Sequence, residues 1–197
     1  GFNAGSGLEP NGLAVSAFLV TNTAAAASIL TWGVLSQLQH RRMSAVGVAT
    51  AAVGGLVAIT PAAGFVGVMG GLAIGFGAGV LCYGAVLLRP KTGLDDSLDV
   101  FAVHGIGGIW GALATGIFAV AAIGDTAGLI EGNGGQMGKQ AIAVLATLLW
   151  SGIVTLVILK VLDVIPGLGL RASSVAEDQG MDVAAHGERA TVHDGAD

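Results

Sequence analysis

Charged side chains are scarce in this sequence. The 197 residues include only 8 Lys and Arg and 13 Asp and Glu, so charged residues make up 11% of the chain and hydrophobic residues 53%. An ordinary soluble domain contains about 25% charged residues. The composition therefore excludes a water-soluble globular protein.

Aromatic residues, cysteine and positive charge are also scarce. Six Phe, three Trp and one Tyr are too few for the aromatic girdles of a β-barrel. The single cysteine, Cys82, cannot form a disulfide within the chain. A formal net charge of −5 argues against nucleic-acid binding. The chain begins at Gly1 without Met or a basic leader, and we expect it to be a fragment of a longer protein.

Glycine and long apolar runs are abundant. The 34 glycines favour close approach of helices in lipid, and a helix needs about 20 mostly apolar residues to cross a bilayer. Five stretches meet this length, at about 13–38, 44–65, 66–88, 99–123 and 138–161. Only the Thr60-Pro61 break and Gly64 separate the second from the third, which predicts a tight turn or a kink. The sequence predicts an all-α, polytopic transmembrane helical bundle over residues 1–170.

Basic residues predict the orientation of this bundle. Seven of the eight lie on one side if the odd-numbered spans run in the same direction: Arg41, Arg42, Arg89, Lys91, Lys160, Arg171 and Arg189. Only Lys139 lies on the other side. By the positive-inside rule the seven mark the cytoplasmic side. The tail, residues 171–197, is then cytoplasmic, and segment 124–136 is an outside loop.

Glycines recur every four residues in two of the predicted spans. The two series are Gly67, Gly71, Gly75 and Gly79, and Gly107 and Gly111. Residues i and i+4 share one face of a helix. Each series therefore predicts a surface for close helix packing rather than chemistry.

His104 is the ionisable residue inside the fourth span. We expect it to be buried, because an ionisable group in a membrane helix usually faces the bundle interior or a water-filled path. Asp99 is five residues away and does not share its helix face. An imidazole can accept or donate a proton near neutral pH. The competing interpretation is a neutral histidine that packs between helices for structure.

Acidic residues precede this span. With Asp96 as the N-cap, Asp99 lies in the first helical turn, where a carboxylate accepts hydrogen bonds from free N–H groups and favours the positive end of the helix dipole. Capping is the role we expect for both residues.

No motif for phosphate binding, metal binding or nucleophilic catalysis is complete in this sequence. Segment 134–139 has the wrong spacing for a phosphate loop, and Gln140 stands where Ser or Thr is needed. The remaining histidines lack the partners of a metal site, and no Ser-His-acid arrangement is indicated. We therefore predict neither an enzyme nor a bound cofactor or metal.

Four segments resemble, in order, signatures of the Amt/Mep/Rh ammonium transporters. They are residues 1–6 (GFNAGS), 58–65 (AITPAAGF), 99–108 (DVFAVHGIGG) and 180–189 (GMDVAAHGER). The resemblance implies a fold of eleven spans in which two sets of five form an inverted repeat. It identifies this chain as the C-terminal half, from the end of the sixth span to the tail, and the segments near both ends favour the Amt branch.

The resemblance also implies roles for single residues. Ser6 corresponds to a hydroxyl that receives ammonium in the outer vestibule, and Phe2 to one of two phenylalanines that close the pore below it. His104 corresponds to the second member of a twin-histidine pair, and Val100 to an apolar position of the pore wall. Asp99 is the acidic residue that supports the structure near the pore. The first histidine would lie upstream of Gly1.

The implied activity is transport of ammonium or ammonia by a homotrimer in the plasma membrane, surrounded by lipid. A bare cation is penalised in an apolar pore, so ammonium would lose its proton before passage. The tail would contact neighbouring subunits and a PII-type signal protein. Three alternatives stay open, namely an Rh-like gas channel, an ammonium sensor of the same fold, and a structural membrane subunit in which His104 only packs.

Overall fold

The computed structural model describes residues 1–188, and its regular elements in that range are all helical. The short helices are α1 (Phe2–Gly5), α6 (Ala121–Gly124) and α8 (Ser174–Gln179). The longer ones are α2 (Gly12–His40), α3 (Ala45–Ile59), α4 (Val68–Thr92), α5 (Ile106–Phe118) and α7 (Gly134–Asp163). Two π-helical turns, π1 (Phe101–Gly105) and π2 (Asp182–His186), complete the set. The all-α prediction is confirmed.

Each of the five predicted spans corresponds to a helix, but one is short. The segments long and apolar enough to cross a membrane are α2, α4, α7 and the continuous π1–α5 segment, Phe101–Phe118. The turn predicted at the Thr60-Pro61 break is confirmed, since α3 ends at Ile59 after 15 residues and is shorter than the apolar stretch 44–65. Pro61 has no N–H to continue the helical ladder. The chain then turns, with Ala62 N–H donating to the Ile59 carbonyl and Phe65 N–H to the Ala62 carbonyl.

Side chains set the starts of two of these helices. Asn11 accepts a hydrogen bond from the Ala14 N–H through Oδ1 (3.0 Å), at the start of α2. Ser44 Oγ accepts from the Gly47 N–H (2.9 Å) at the start of α3. Such caps satisfy donors that the first helical turn leaves free.

The chain divides into two compact units, one of which is Gly1–Ala146. Its core is built mostly from small residues of α2 to α5 and the turn after α3: Ala17, Val20, Ala24, Ala58, Ile59, Ala62, Ala63, Val66, Ile74, Ala78 and Ala114. A buried hydroxyl joins two of the helices, because Ser28 Oγ donates to the Ala51 carbonyl (2.7 Å). Small side chains bring these helices close together.

Two glycines of the predicted surfaces make the closest of these contacts. A Cβ atom on Gly75 would lie 2.2 Å from the Ala24 carbonyl oxygen, and one on Gly111 would lie 2.0 Å from the Ala58 carbonyl oxygen. The packing prediction is confirmed for five positions: Gly71, Gly75, Gly79, Gly107 and Gly111. Gly67 differs, because it is the N-cap of α4.

The second unit begins at Thr147 within α7. Its described part ends with α8 and π2. The Arg171 guanidinium forms an ion pair with Glu177 (3.0 Å) at the start of α8, and Ser173 Oγ accepts from the Ala176 N–H. The predicted tail motif 180–189 is described as far as Glu188, and Arg189 lies outside the described residues.

Candidate functional site

His104 lies in the π1 turn, at the start of the helical segment that continues as α5. The N–H of Ile106 donates to the Phe101 carbonyl five residues earlier, which is the π-helical pattern. A single π turn inside a helix is rare and is frequently found at functional sites. The π turn departs from the regular 3.6-residue period on which the predicted helix faces depend, and it was not predicted from the sequence.

The prediction that His104 is buried is wrong for this chain. Its neighbours Ala102 and Val103 are each only 3% exposed, and the Val103 carbonyl lies 3.8 Å from Cys82 Sγ on α4. These two residues occupy the side of π1 that packs on the core, so the His104 side chain is exposed. Within residues 1–188 it has no hydrogen-bond or ion-pair partner, which leaves both ring nitrogens available to a partner.

The two acidic residues before π1, Asp96 and Asp99, make different contacts, and only Asp96 accepts hydrogen bonds from the start of the helix through its side chain. Asp96 is not the N-cap, which is Val100, but from the loop its carboxylate satisfies amides at the start of the helix, with Oδ1 accepting from the Val100 N–H (2.8 Å) and Oδ2 from the Phe101 N–H (2.9 Å). Asp99 is not in the first helical turn, because its φ of 56° lies in the left-handed region. The Asp99 carboxylate instead forms an ion pair with Arg89 Nε (2.9 Å). The capping role predicted for the Asp99 side chain is therefore wrong.

Sequence reasoning also missed the role of Arg89. It treated this residue only as a basic marker of orientation, although it is the ion-pair partner of Asp99. Arg89 and Asp99 are ten residues apart, and Gly93 lies between them. Its φ of 68° ends α4 in a left-handed turn. A glycine just after a helix signals such a reversal, but the pattern does not tell which basic residue meets which acid.

Ser6 and Phe2 form a second group, at the start of the chain. Ser6 Oγ donates to the Phe2 carbonyl (2.9 Å), and the Phe2 side chain is 81% exposed. Both residues line a cavity of about 370 Å³ together with Thr60, Phe65 and Asp125. The cavity therefore combines aromatic rings with hydroxyl and carboxylate oxygens.

The two groups lie towards opposite ends of the π1–α5 segment. Beyond the end of α5, the Val120 N–H donates to the carbonyl of Phe65, a residue that lines the cavity (2.8 Å). His104 is in the first helical turns of the same segment. At 1.5 Å per residue, it lies roughly 20 Å along the helix from that end. The structure thus brings Ser6 and Phe2 together, and places His104 apart from them.

Val100, the predicted pore-wall residue, immediately precedes π1 and is 51% exposed. All four predicted pore residues, Phe2, Ser6, Val100 and His104, are exposed in the described chain. Among residues 1–188, no group of three His, Cys, Asp or Glu side chains is placed to hold a metal ion. The chemistry available here is that of hydroxyl, aromatic and imidazole groups.

Comparison with known proteins finds relatives along nearly the whole chain. The model of the Ammonium Transporter Family matches residues 1–191. Ammonium transporter Amt1 of Archaeoglobus fulgidus is 44% identical over 188 residues, which cover 95% of this chain and 47% of that protein. An ammonium transporter of Aquifex aeolicus is 46% identical over 191 residues, which cover 96% and 44%. The chain spans about half the length of these relatives.

Solved structures share the fold. The crystal structure of Saccharomyces cerevisiae Mep2 superposes with a TM-score of 0.82 at 37% identity, over 88% of this chain and 40% of that one. A structure described as a sensor Amt protein superposes with a TM-score of 0.81 at 29% identity, over 93% of this chain and 45% of that one. The helical membrane fold of this chain is the fold of part of each of these proteins.

Proposed function

This chain belongs to the ammonium transporter family, and we propose that it is the C-terminal half of a subunit that moves ammonium or ammonia across a membrane. The family is one of transporters and not of enzymes. The observation that best supports a pore role is His104, which is set in a π turn with its imidazole exposed. The missing half of the subunit would supply the first histidine and the opposite wall of the pore.

Recruitment of ammonium is proposed at Ser6 and Phe2. Because the Ser6 hydroxyl proton is donated to the Phe2 carbonyl, the lone pairs of Oγ remain to accept a hydrogen bond from an ammonium N–H. The exposed ring of Phe2 offers a face for a cation–π contact. Both interactions favour the charged species, which suits an entry site in contact with water.

Passage beyond this site favours the neutral molecule. An isolated ammonium ion in an apolar environment of low dielectric constant carries a heavy desolvation penalty, which ammonia avoids. We therefore propose that ammonium gives its proton to water at the entry site near Phe2, forming hydronium, and that the resulting ammonia passes along a wall that includes Val100. His104, paired with a histidine from the other half, would hydrogen-bond the passing molecule and relay the proton.

The proposed orientation has the ends of α2 and α4 on the cytoplasmic side of the plasma membrane. Near these ends, Tyr83 Oη donates to Gln39 Oε1 (2.7 Å), which supports placing both ends on one side. Arg41 follows α2 directly, and Arg89 lies in the last turn of α4. Basic residues are retained on the cytoplasmic side. Ser6 and Phe2, towards the other end of the bundle, would then face outward.

The tail and the trimer are part of the same proposal. Residues 180–188 carry most of the tail motif and contain π2, whose residues are largely exposed. Exposed backbone and side chains suit contacts with a neighbouring subunit or a PII-type protein. The mass of the purified transporter in detergent, with and without such a protein, tests both contacts.

A sensor of the same fold is the second candidate, supported by the likeness to the sensor Amt structure. Uptake of radiolabelled methylammonium by cells that lack their own ammonium transporters, and that express the complete gene, separates the two. A transporter accumulates label above the empty-vector control and loses this uptake when ammonium competes. A sensor binds ammonium in detergent but gives no uptake.

The complete gene supplies a second test. We expect an additional histidine inside a membrane span upstream of Gly1. If no upstream span contains a histidine, the paired-histidine mechanism does not apply to this protein.

A further inference from the structure

Three charged residues connect the end of α4 to the start of π1. Arg89 lies in the last turn of α4, and Asp96 and Asp99 lie in the loop that leads into π1. Their side chains hold the loop and the first turn of the following helix, which is the turn that carries His104.

Arg89 contacts both acidic residues through different nitrogens. Its Nε forms an ion pair with the Asp99 carboxylate (2.9 Å) that is not aligned as a hydrogen bond, and its Nη1 donates to the backbone carbonyl of Asp96. The Arg89 and Asp99 side chains are 29% and 22% exposed, so the pair is largely shielded from water. A planar guanidinium can donate to the carbonyl and keep its charge beside the carboxylate at the same time, whereas an ammonium is a single point charge.

Each acceptor of Arg89 has its own contact with the start of the helix. The Asp96 carboxylate accepts from the N–H groups of Val100 and Phe101. The Asp99 carbonyl accepts from the Val103 N–H (2.9 Å). Asp99 reaches this position with a φ of 56°, a left-handed conformation that is unfavourable for an L-residue. The ion pair with Arg89 helps to offset that cost.

The other end of π1 is held by packing. Gly107, two residues after π1, lies against α3 and α4, where a Cβ would be 3.2 Å from Cys82 Sγ. Gly111 lies directly on the Ala58 backbone. The path of the chain between Asp99 and Gly107 is thus fixed at both ends. His104 lies between them, and its side chain has no partner of its own within residues 1–188.

We propose that Arg89 is a positioning residue, which holds the π1 turn and thereby sets where His104 stands in the pore. This inference rests on the pore role proposed above for His104. A simpler account makes Arg89 only one of the positive charges that determine orientation. Lys91, two residues further on and exposed, would then be equivalent to it.

The direct test is amide hydrogen exchange of residues 99–106 in the complete transporter, with the variants Arg89→Lys and Arg89→Gln. Arg89 holds the Asp96 carbonyl, and the Asp96 carboxylate accepts from the Val100 and Phe101 amides. If Asp96 is no longer held, these amides lose a hydrogen bond to a charged group, and their exchange rises by roughly tenfold. We expect the rise in both variants, the larger one in Arg89→Gln, and no rise in the matched control Lys91→Gln. Unchanged exchange in both Arg89 variants, or an equal rise in Lys91→Gln, would overturn the proposal.

The second readout is transport per subunit, corrected for the amount of protein in the membrane. In Arg89→Lys the positive charge remains, so orientation is preserved. We expect a maximal uptake rate several times below wild type with an unchanged KM, because Ser6 and Phe2 lie towards the other end of the bundle. A wild-type maximal rate in Arg89→Lys, or a change confined to KM, would contradict the positioning role.

The two proposals can fail separately. If the wild-type protein takes up no ammonium or methylammonium, the transport proposal fails, and the exchange measurement still decides whether Arg89 holds π1. If Arg89→Gln does not accumulate in membranes, Arg89→Lys supplies both readouts.

Discussion

The helical segment that carries His104 is held by different forces in its two parts. From Ile106 to Phe118 it lies on α3 and α4 through glycines that bring backbones into contact, as Gly111 does at Ala58. At its start, from Asp99 to Gly105, it is held by an ion pair and by the hydrogen bonds of the Asp96 carboxylate. Packing fixes the part that has no predicted chemistry, whereas the part that carries the histidine is fixed by directed polar contacts in addition to the packing of Ala102 and Val103.

The largest expected effect is on the packed part. In Gly111→Ala, the new Cβ would lie 2.0 Å from the Ala58 carbonyl oxygen, and neither backbone can move without opening the helix pair. We expect the free energy of unfolding to fall by about 3 kcal/mol, as measured by titration with SDS in mixed micelles. Gly84→Ala is the control, since a Cβ there meets nothing within 4 Å. Equal stability of the two variants would refute the packing account.

A smaller effect is expected at the polar end. Asp96→Ala removes the acceptors of the Val100 and Phe101 N–H groups, so we expect a loss of about 1–2 kcal/mol in the free energy of unfolding. Asp96→Asn keeps one acceptor oxygen and should lose less. Ser97→Ala, in the same exposed loop, is the matched control. If Asp96→Ala costs as much as Gly111→Ala, the two parts do not differ as described.

The smallest effect concerns one hydrogen bond within the packed part. Trp110 Nε1 donates to the Ile74 carbonyl (2.9 Å), and its ring covers Gly77. Trp110→Phe keeps most of the ring contact and loses the N–H, so a loss of about 1 kcal/mol is expected in the same titration. Trp150→Phe, at a side chain that is 74% exposed, should change nothing. A loss above that of Asp96→Ala would mean that polar contacts also dominate the packed part.

The same contrast explains how far the sequence could predict the fold. Apolar length and the four-residue glycine repeat depend on local geometry, so they predicted the helices and five of the six glycine contacts. The turn after α3 was also predicted, from the Thr60-Pro61 break, because Pro61 cannot continue the hydrogen-bond ladder although the apolar run goes on to Phe65.

The candidate site was predicted less completely. The identity of His104 as the ionisable residue of its span came from the sequence, but the π turn, the left-handed Asp99 and the Arg89 partner did not. Each of these features depends on contacts between α4 and the loop after it. A periodic sequence pattern does not predict such contacts. The exposure of His104 was not predicted, because an ionisable residue in a span is expected to face other helices, whereas here Ala102 and Val103 occupy the side of π1 that meets the rest of this chain.

The account depends most on His104 as a residue of the transport path. The measurement is uptake of labelled methylammonium per subunit by the complete transporter with His104→Ala, with His40→Ala as control at an exposed histidine that ends α2. Loss of a hydrogen-bonding group that the passing molecule needs costs about 1–3 kcal/mol, so we expect uptake to fall roughly 5- to 150-fold in His104→Ala alone. Uptake by His104→Ala at the wild-type rate and selectivity would contradict the account and leave His104 as a packing residue.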